Sequence, residues 1–191
     1  MPNNNIVRRG GAGWRPAAAM LLAVALLSAC EDAKRADVSK MDIEGFRLGM
    51  TLQEVKEKWP DVKVQEVKDS GLTVGYEGHK DNIQLTFASD KFSNALFFIR
   101  LTRTFPQKPD SYPIYMEYVK KYGPPDYSGR QVMSMNACWG KCFGENKKLE
   151  FVMGIVAFPN KPYPMTLTLS DLSVGAANRQ HIRSLLAKQG S

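Results

Sequence analysis

Strand-patterned runs that follow a helix, twice over, predict an α+β fold: tandem helix-plus-antiparallel-sheet units with a C-terminal helix. Three observations carry this reading. A helix with its own start signal opens at Thr51 and is followed by runs of alternating apolar residues. A second amphipathic stretch over 112–122 is followed by further runs of the same kind. A last apolar face, made by Val174, Ala177, Ile182 and Leu185, closes the chain at helical spacing. Strands that come in runs after a helix argue for an antiparallel sheet rather than βαβ units. The chain then divides into a signal segment (1–29), a flexible tether (30–42), a first unit (43–105) and a second unit with the closing helix (106–191). A single irregular α+β domain is the alternative organisation.

The signal segment comes first. Arg8, Arg9 and Arg15 form a positive region, and 17–27 is an apolar run too short to span a bilayer, which needs about 20 residues. The following Leu27-Ser28-Ala29-Cys30 resembles the lipobox of bacterial lipoproteins. That resemblance implies a diacylglyceryl thioether on Cys30, cleavage before it, and a lipid-anchored protein of the cell envelope that faces the periplasm. Glu31, rather than an aspartate, directly follows the cysteine, which favours the outer membrane over the inner. The alternative is an ordinary secretory signal with an incidental cysteine. Residues 31–42, EDAKRADVSKMD, carry few large apolar groups and read as the tether.

The first helix starts with a capping box: Thr51 is the N-cap and Glu54 the third helical residue. Leu52, Val55 and Trp59 share one face, and Pro60 ends the helix. Strands are expected at 62–67, 72–78, 83–88 and 96–104. Leu72, Val74 and Tyr76 alternate in the second, as do Ile83, Leu85 and Phe87 in the third. A proline-bearing connector leads to the helix at 112–122, where Ile114, Tyr118 and Tyr122 recur at four-residue intervals. Gly123 and Pro124-Pro125 stop it. Strands at 130–139, 149–158 and 165–172 and a helix at 174–188 complete the order.

Export would place the body in an oxidising compartment, where disulfides persist. Cys138 and Cys142 are separated by Trp-Gly-Lys, which can turn tightly enough to pair them as a local staple. Thioredoxin-like and haem-attachment motifs need two residues between cysteines, so neither fits. His79 and His181 stand far apart with no ligand-spaced partners, so no metal or cofactor is expected.

The formal charge of +7 overstates the cationic character of the mature chain. Without the three arginines of the signal, 23 basic residues face 19 acidic ones, a net of +4, and the basic residues are scattered. Nucleic-acid binding is therefore not expected. No Gly-x-Ser-x-Gly elbow, phosphate loop, His-Glu-x-x-His or dinucleotide fingerprint occurs, so the chain does not read as an enzyme.

The segment Gly45-Phe-Arg-Leu-Gly-Met-Thr-Leu-Gln-Glu-Val55 resembles a helix-start signature of small exported bacterial proteins. It is similar to the SmpA/OmlA outer-membrane lipoproteins and to the secreted β-lactamase inhibitor proteins, which hold two such units in tandem. Tyr122-Gly-Pro-Pro125 and Trp139-Gly140 resemble the same family's later pattern. Trp59-Pro60 departs from its usual Gly-x-Pro, and the cysteine staple is not a general family feature. The resemblance implies a sheet face that binds another envelope protein without chemistry of its own. Aromatic residues are favoured interface anchors. Among them Trp139, placed beside a turn and expected at the surface, is the first candidate contact, with Tyr127 and Tyr115; Tyr118 and Tyr122 are expected to pack inward. A small-molecule or lipid binder, with a cavity walled by strands 96–101 and 149–158, is the second reading.

Overall fold

The computed structural model describes residues 36–131, 134–142, 149–156 and 163–189. The signal segment and Cys30 lie outside the described residues. Among the described residues, three α-helices, α1 (Leu52–Lys58), α2 (Ser111–Tyr122) and α3 (Leu172–Gln189), accompany eight strands. These are β1 (Lys63–Asp69), β2 (Leu72–Lys80), β3 (Ile83–Phe87), β4 (Leu96–Phe105), β5 (Tyr127–Gln131), β6 (Ser134–Gly140), β7 (Leu149–Val156) and β8 (Tyr163–Asp171). They form one sheet in the order β1-β2-β3-β4-β8-β7-β6-β5, every pair antiparallel. The fold is mixed α+β, as the element order predicts.

Local chemistry explains where the helices begin. Thr51 Oγ1 accepts from the Glu54 amide at 3.2 Å, and the Glu54 carboxylate accepts from the Thr51 amide at 2.7 Å. This reciprocal pair holds the Glu54 carboxyl below its usual range, because the Thr51 amide bond favours the charged form. Asp110 caps α2 through the Tyr112 amide at 3.1 Å. Asp171 accepts from the amides of Ser173 and Val174, so α3 begins at Leu172, two residues before the expected start.

One face of the sheet is the core. Leu85, Ile99, Leu169, Phe151, Met153 and Met165 are fully buried there. α1, α2 and the segment leading into α1 cover this face through Val55, Tyr118, Tyr122, Met41, Ile43 and Phe46. Phe46 stacks on Trp59 with ring centroids 4.1 Å apart. α3 is tied to the rest by Asn178, which is 5 % exposed. Its side-chain oxygen accepts from both Ser89 amide and hydroxyl, and its amide donates to Val74 O at 3.0 Å.

Two expectations need correction. The tether does not extend to residue 42: Val38 and Met41 are 6 % and 2 % exposed, and Asp37 caps a 3-10 turn at Val38–Lys40. Two isolated apolar residues in a polar stretch are enough to fix it when each finds a place in the core. The strand expected at 130–139 is a hairpin, β5 with β6, in which Gln131 pairs with Ser134. The intervening Val132-Met133 contains none of the residues that mark turns.

Candidate interaction face

Side chains alternate across a strand, so burying one face of each strand leaves a second face defined by the same register. Its central row runs from Gln84 through Arg100, Thr168 and Val152 to Cys138 and Tyr127. The next row holds Thr102, Thr166, Gly154, Asn136 and Gly129. Thr102, Thr166, Thr168, Val152 and Asn136 are half-buried in the middle of an eight-stranded sheet, where a covered face would bury them fully. At the β4 end, Arg100 lies over the Phe98 ring at 5.0 Å. At the β5 edge, Tyr127 is 45 % exposed and its ring lies against Gly129. Toward β1, His79 approaches Glu77 at 4.0 Å, and Gln65 donates to Glu77 at 3.3 Å.

Eight strands at about 4.8 Å spacing make this face about 34 Å wide. That width, over two or three rows of alternating side chains, matches the roughly 800 Å² per partner of a standard protein interface. Threonine, asparagine, arginine and tyrosine supply hydroxyl, amide and guanidinium groups. Such groups can donate and accept hydrogen bonds outward from the sheet.

The helix side carries two adjoining open clefts. One, of about 320 Å³, is lined by Asp42, Glu44, Leu101, Tyr118, Lys121 and Tyr122 among others. The other, also about 320 Å³, is lined by Glu44, Trp59, Asp81, Leu101 and Arg103 among others. The Glu44–Arg103 ion pair, 2.6 Å long, stands between them. Tyr122 donates to Asp42 O at 2.7 Å, Lys121 reaches the Asp42 carboxylate at 3.5 Å, and burial pushes the Tyr118 phenol up. Asp42 pairs with Lys121 and Glu44 with Arg103, and neither cleft is lined by a histidine, cysteine or serine. Strands β4 and β7 send Leu96, Ile99, Phe151 and Met153 into the packed core, while Leu101 of β4 also borders both clefts. Among the described residues no cluster of three or more potential metal ligands occurs, and no helix is long and apolar enough to cross a membrane.

The three candidate contact residues fare differently. Trp139, expected at the surface, is completely buried on the core face of β6. Its indole N–H donates to Gly123 O at 2.8 Å, and its ring meets Phe151 at 5.4 Å and Tyr122 at 6.5 Å. Tyr127 lies on the open face. Tyr115 is half-buried along α2, packed against the edge of the core on the opposite side of the sheet. The structure therefore does not bring the three together. The residues that make the open face are not among the three, although the alternation Met165-Thr-Leu-Thr-Leu-Ser170 announces it.

Cys138 and Cys142 lie at disulfide distance, with Cα atoms 6.0 Å apart. Cys138 sits opposite Tyr127 in the register, and Cys142 follows the end of β6. A loop this small restricts the unfolded chain by about 2 kcal/mol on the chain-entropy argument. The Cys138→Ala/Cys142→Ala double variant is expected to lose that much in a urea titration. Reductant should shift the parent protein by a similar amount and leave the variant unmoved.

No family model matches the chain, and no curated protein or solved structure matches it either.

Proposed function

We propose that this chain is a lipid-anchored periplasmic protein of the bacterial envelope, held by Cys30 and non-catalytic, whose open sheet face binds another envelope protein. The observation that carries the binding half is that half-exposed, largely polar face, which runs from β1 to β7 and resumes past the buried Cys138 at the exposed Tyr127. The lipobox-like Leu27-Ser28-Ala29-Cys30 carries the address. The sheet order also supports two tandem units: α1 precedes one four-stranded meander, α2 precedes another, and β4 pairs with β8 to join them. That is the arrangement the SmpA/OmlA-like resemblance implies, and it makes an envelope-assembly accessory or an inhibitor-like module the fitting role. The buried apolar sides of β4 and β7 favour this over a small-molecule or lipid binder.

The test is affinity capture of the full-length lipoprotein from detergent-solubilised envelope, run beside Cys30→Ala and Thr168→Arg. Thr168 is half-buried at the centre of the open face and pairs with Arg100, so an arginine there projects outward at a cost of about 0.2–1 kcal/mol from the like charge opposite. A melting temperature lowered by no more than that cost, with loss of the captured protein, is the expected result. Capture that survives Thr168→Arg moves the interface elsewhere, and a parent protein that captures nothing specific ends the binding reading.

A further inference from the structure

We infer that the anchor holds one particular end of the sheet against the bilayer, the end where the chain joins the body beside β6 and β7. The inference rests on the reading of Cys30 as the lipid-bearing residue. It follows from where the body begins and how little chain precedes it.

Val38 is already part of the core. It packs at the finish of β6: a Cβ placed on Gly140 would lie 2.8 Å from Val38 Cγ2. Gly140 pairs with Glu150, and Leu149 at the start of β7 pairs with Asp171 at the end of β8. These residues, with Leu96 at the start of β4, form one end of the sheet. The other end is formed by Phe105 and Tyr163, and by Lys80 and Ile83.

Only Glu31 to Arg35 stand between Cys30 and Ala36. Whatever their conformation, six peptide units span at most about 21 Å. The ten residues of β4 run about 33 Å from end to end. Setting the far end on the bilayer would lift Val38 by roughly a strand length, beyond the reach of that leash. The partner of the near end is therefore the phospholipid headgroup layer, to which this end offers the exposed Lys40 and Lys141. The strands then rise away from the membrane, and a protein seated on the open face occupies the layer directly above it.

The test uses the full lipidated protein in phospholipid vesicles that contain a lipid with a nitroxide headgroup. Lipidation occupies Cys30 and the disulfide occupies the other two cysteines, so an introduced cysteine is the only thiol to label. A fluorophore is placed at Lys40→Cys, near end, or at Lys108→Cys, in the exposed connection after β4 at the far end. Quenching is expected to be several-fold stronger at position 40. A Gly/Ser insert between Lys34 and Arg35 that triples the leash should erase the difference, whereas added salt should not. Equal quenching in a chain whose N-terminal peptide carries the lipid by mass overturns this inference and leaves the address standing. An N-terminal peptide without lipid overturns both.

Discussion

Replacing Gly140 by alanine is expected to destabilise the protein by about 2–5 kcal/mol, a large part of the 5–15 kcal/mol that holds a domain together. Two costs combine. Gly140 has φ +95°, a conformation that L-residues adopt only with strain of roughly 1–2 kcal/mol. A Cβ there would also stand 2.5 Å from Leu149 O and 2.8 Å from Val38 Cγ2. The first obstacle is backbone, and that same carbonyl accepts from the Lys141 amide at 3.2 Å. Relief would pull β6 away from β7 and loosen the bond from the Gly140 amide to the Asp126 carboxylate, 2.7 Å long. Overpacking of this kind costs about 1–3 kcal/mol. Gly49 supplies the control. Its φ is +83°, but nothing lies within 4 Å of a Cβ built there. Gly49→Ala should therefore carry the conformational cost alone, about 1 kcal/mol. A denaturant titration that finds the two variants equal removes the close approach of β6, β7 and Val38 from the account.

What could be read in the sequence follows a physical division. The α1 capping box is chemistry between residues three apart, and Thr51 and Glu54 declare it directly. The core strands are legible because Ile83, Leu85 and Phe87, or Met165, Leu167 and Leu169, repeat with the period of the pleat. The β5–β6 hairpin is not legible, since the two residues between its strands include no glycine, asparagine or proline and only the pairing of the flanks reveals it. Asn178 was equally silent: a polar residue among apolar ones looks like a flaw in the α3 face until Ser89 and Val74, remote in sequence, are found beside it. The anchoring of residues 36–42 rests on the same kind of distant partner, the core that Val38 and Met41 enter. For the candidate site, the sequence shows the alternation that creates a second sheet face. It does not show that α1 and α2 both pack on one side and leave that face half-exposed.

Trp139 shows how far position relative to a turn can mislead, and its replacement should give the second large effect. Sequence proximity to Gly140 suggests exposure, but β6 register pairs Trp139 with Phe151, inside the sheet. Tyr122 arrives from α2 to meet both rings, with centroids 6.5 Å from Trp139 and 5.3 Å from Phe151. Trp139→Ala is expected to cost about 3–5 kcal/mol through lost burial and the cavity left behind. Trp139→Phe separates the polar part. It keeps most of the apolar volume but deprives Gly123 O of its donor at the end of α2, where losing the bond to a part-buried carbonyl costs about 1 kcal/mol. Both variants should lower the urea midpoint, alanine more than phenylalanine. An interface anchor would behave in the opposite way, with stability kept and partner capture lost. Captured protein should instead scale with the folded fraction for both Trp139 variants, while Thr168→Arg loses capture with the fold intact. If Trp139→Phe keeps its midpoint and loses the partner, the indole is a contact residue and the core packing described for β6 is wrong.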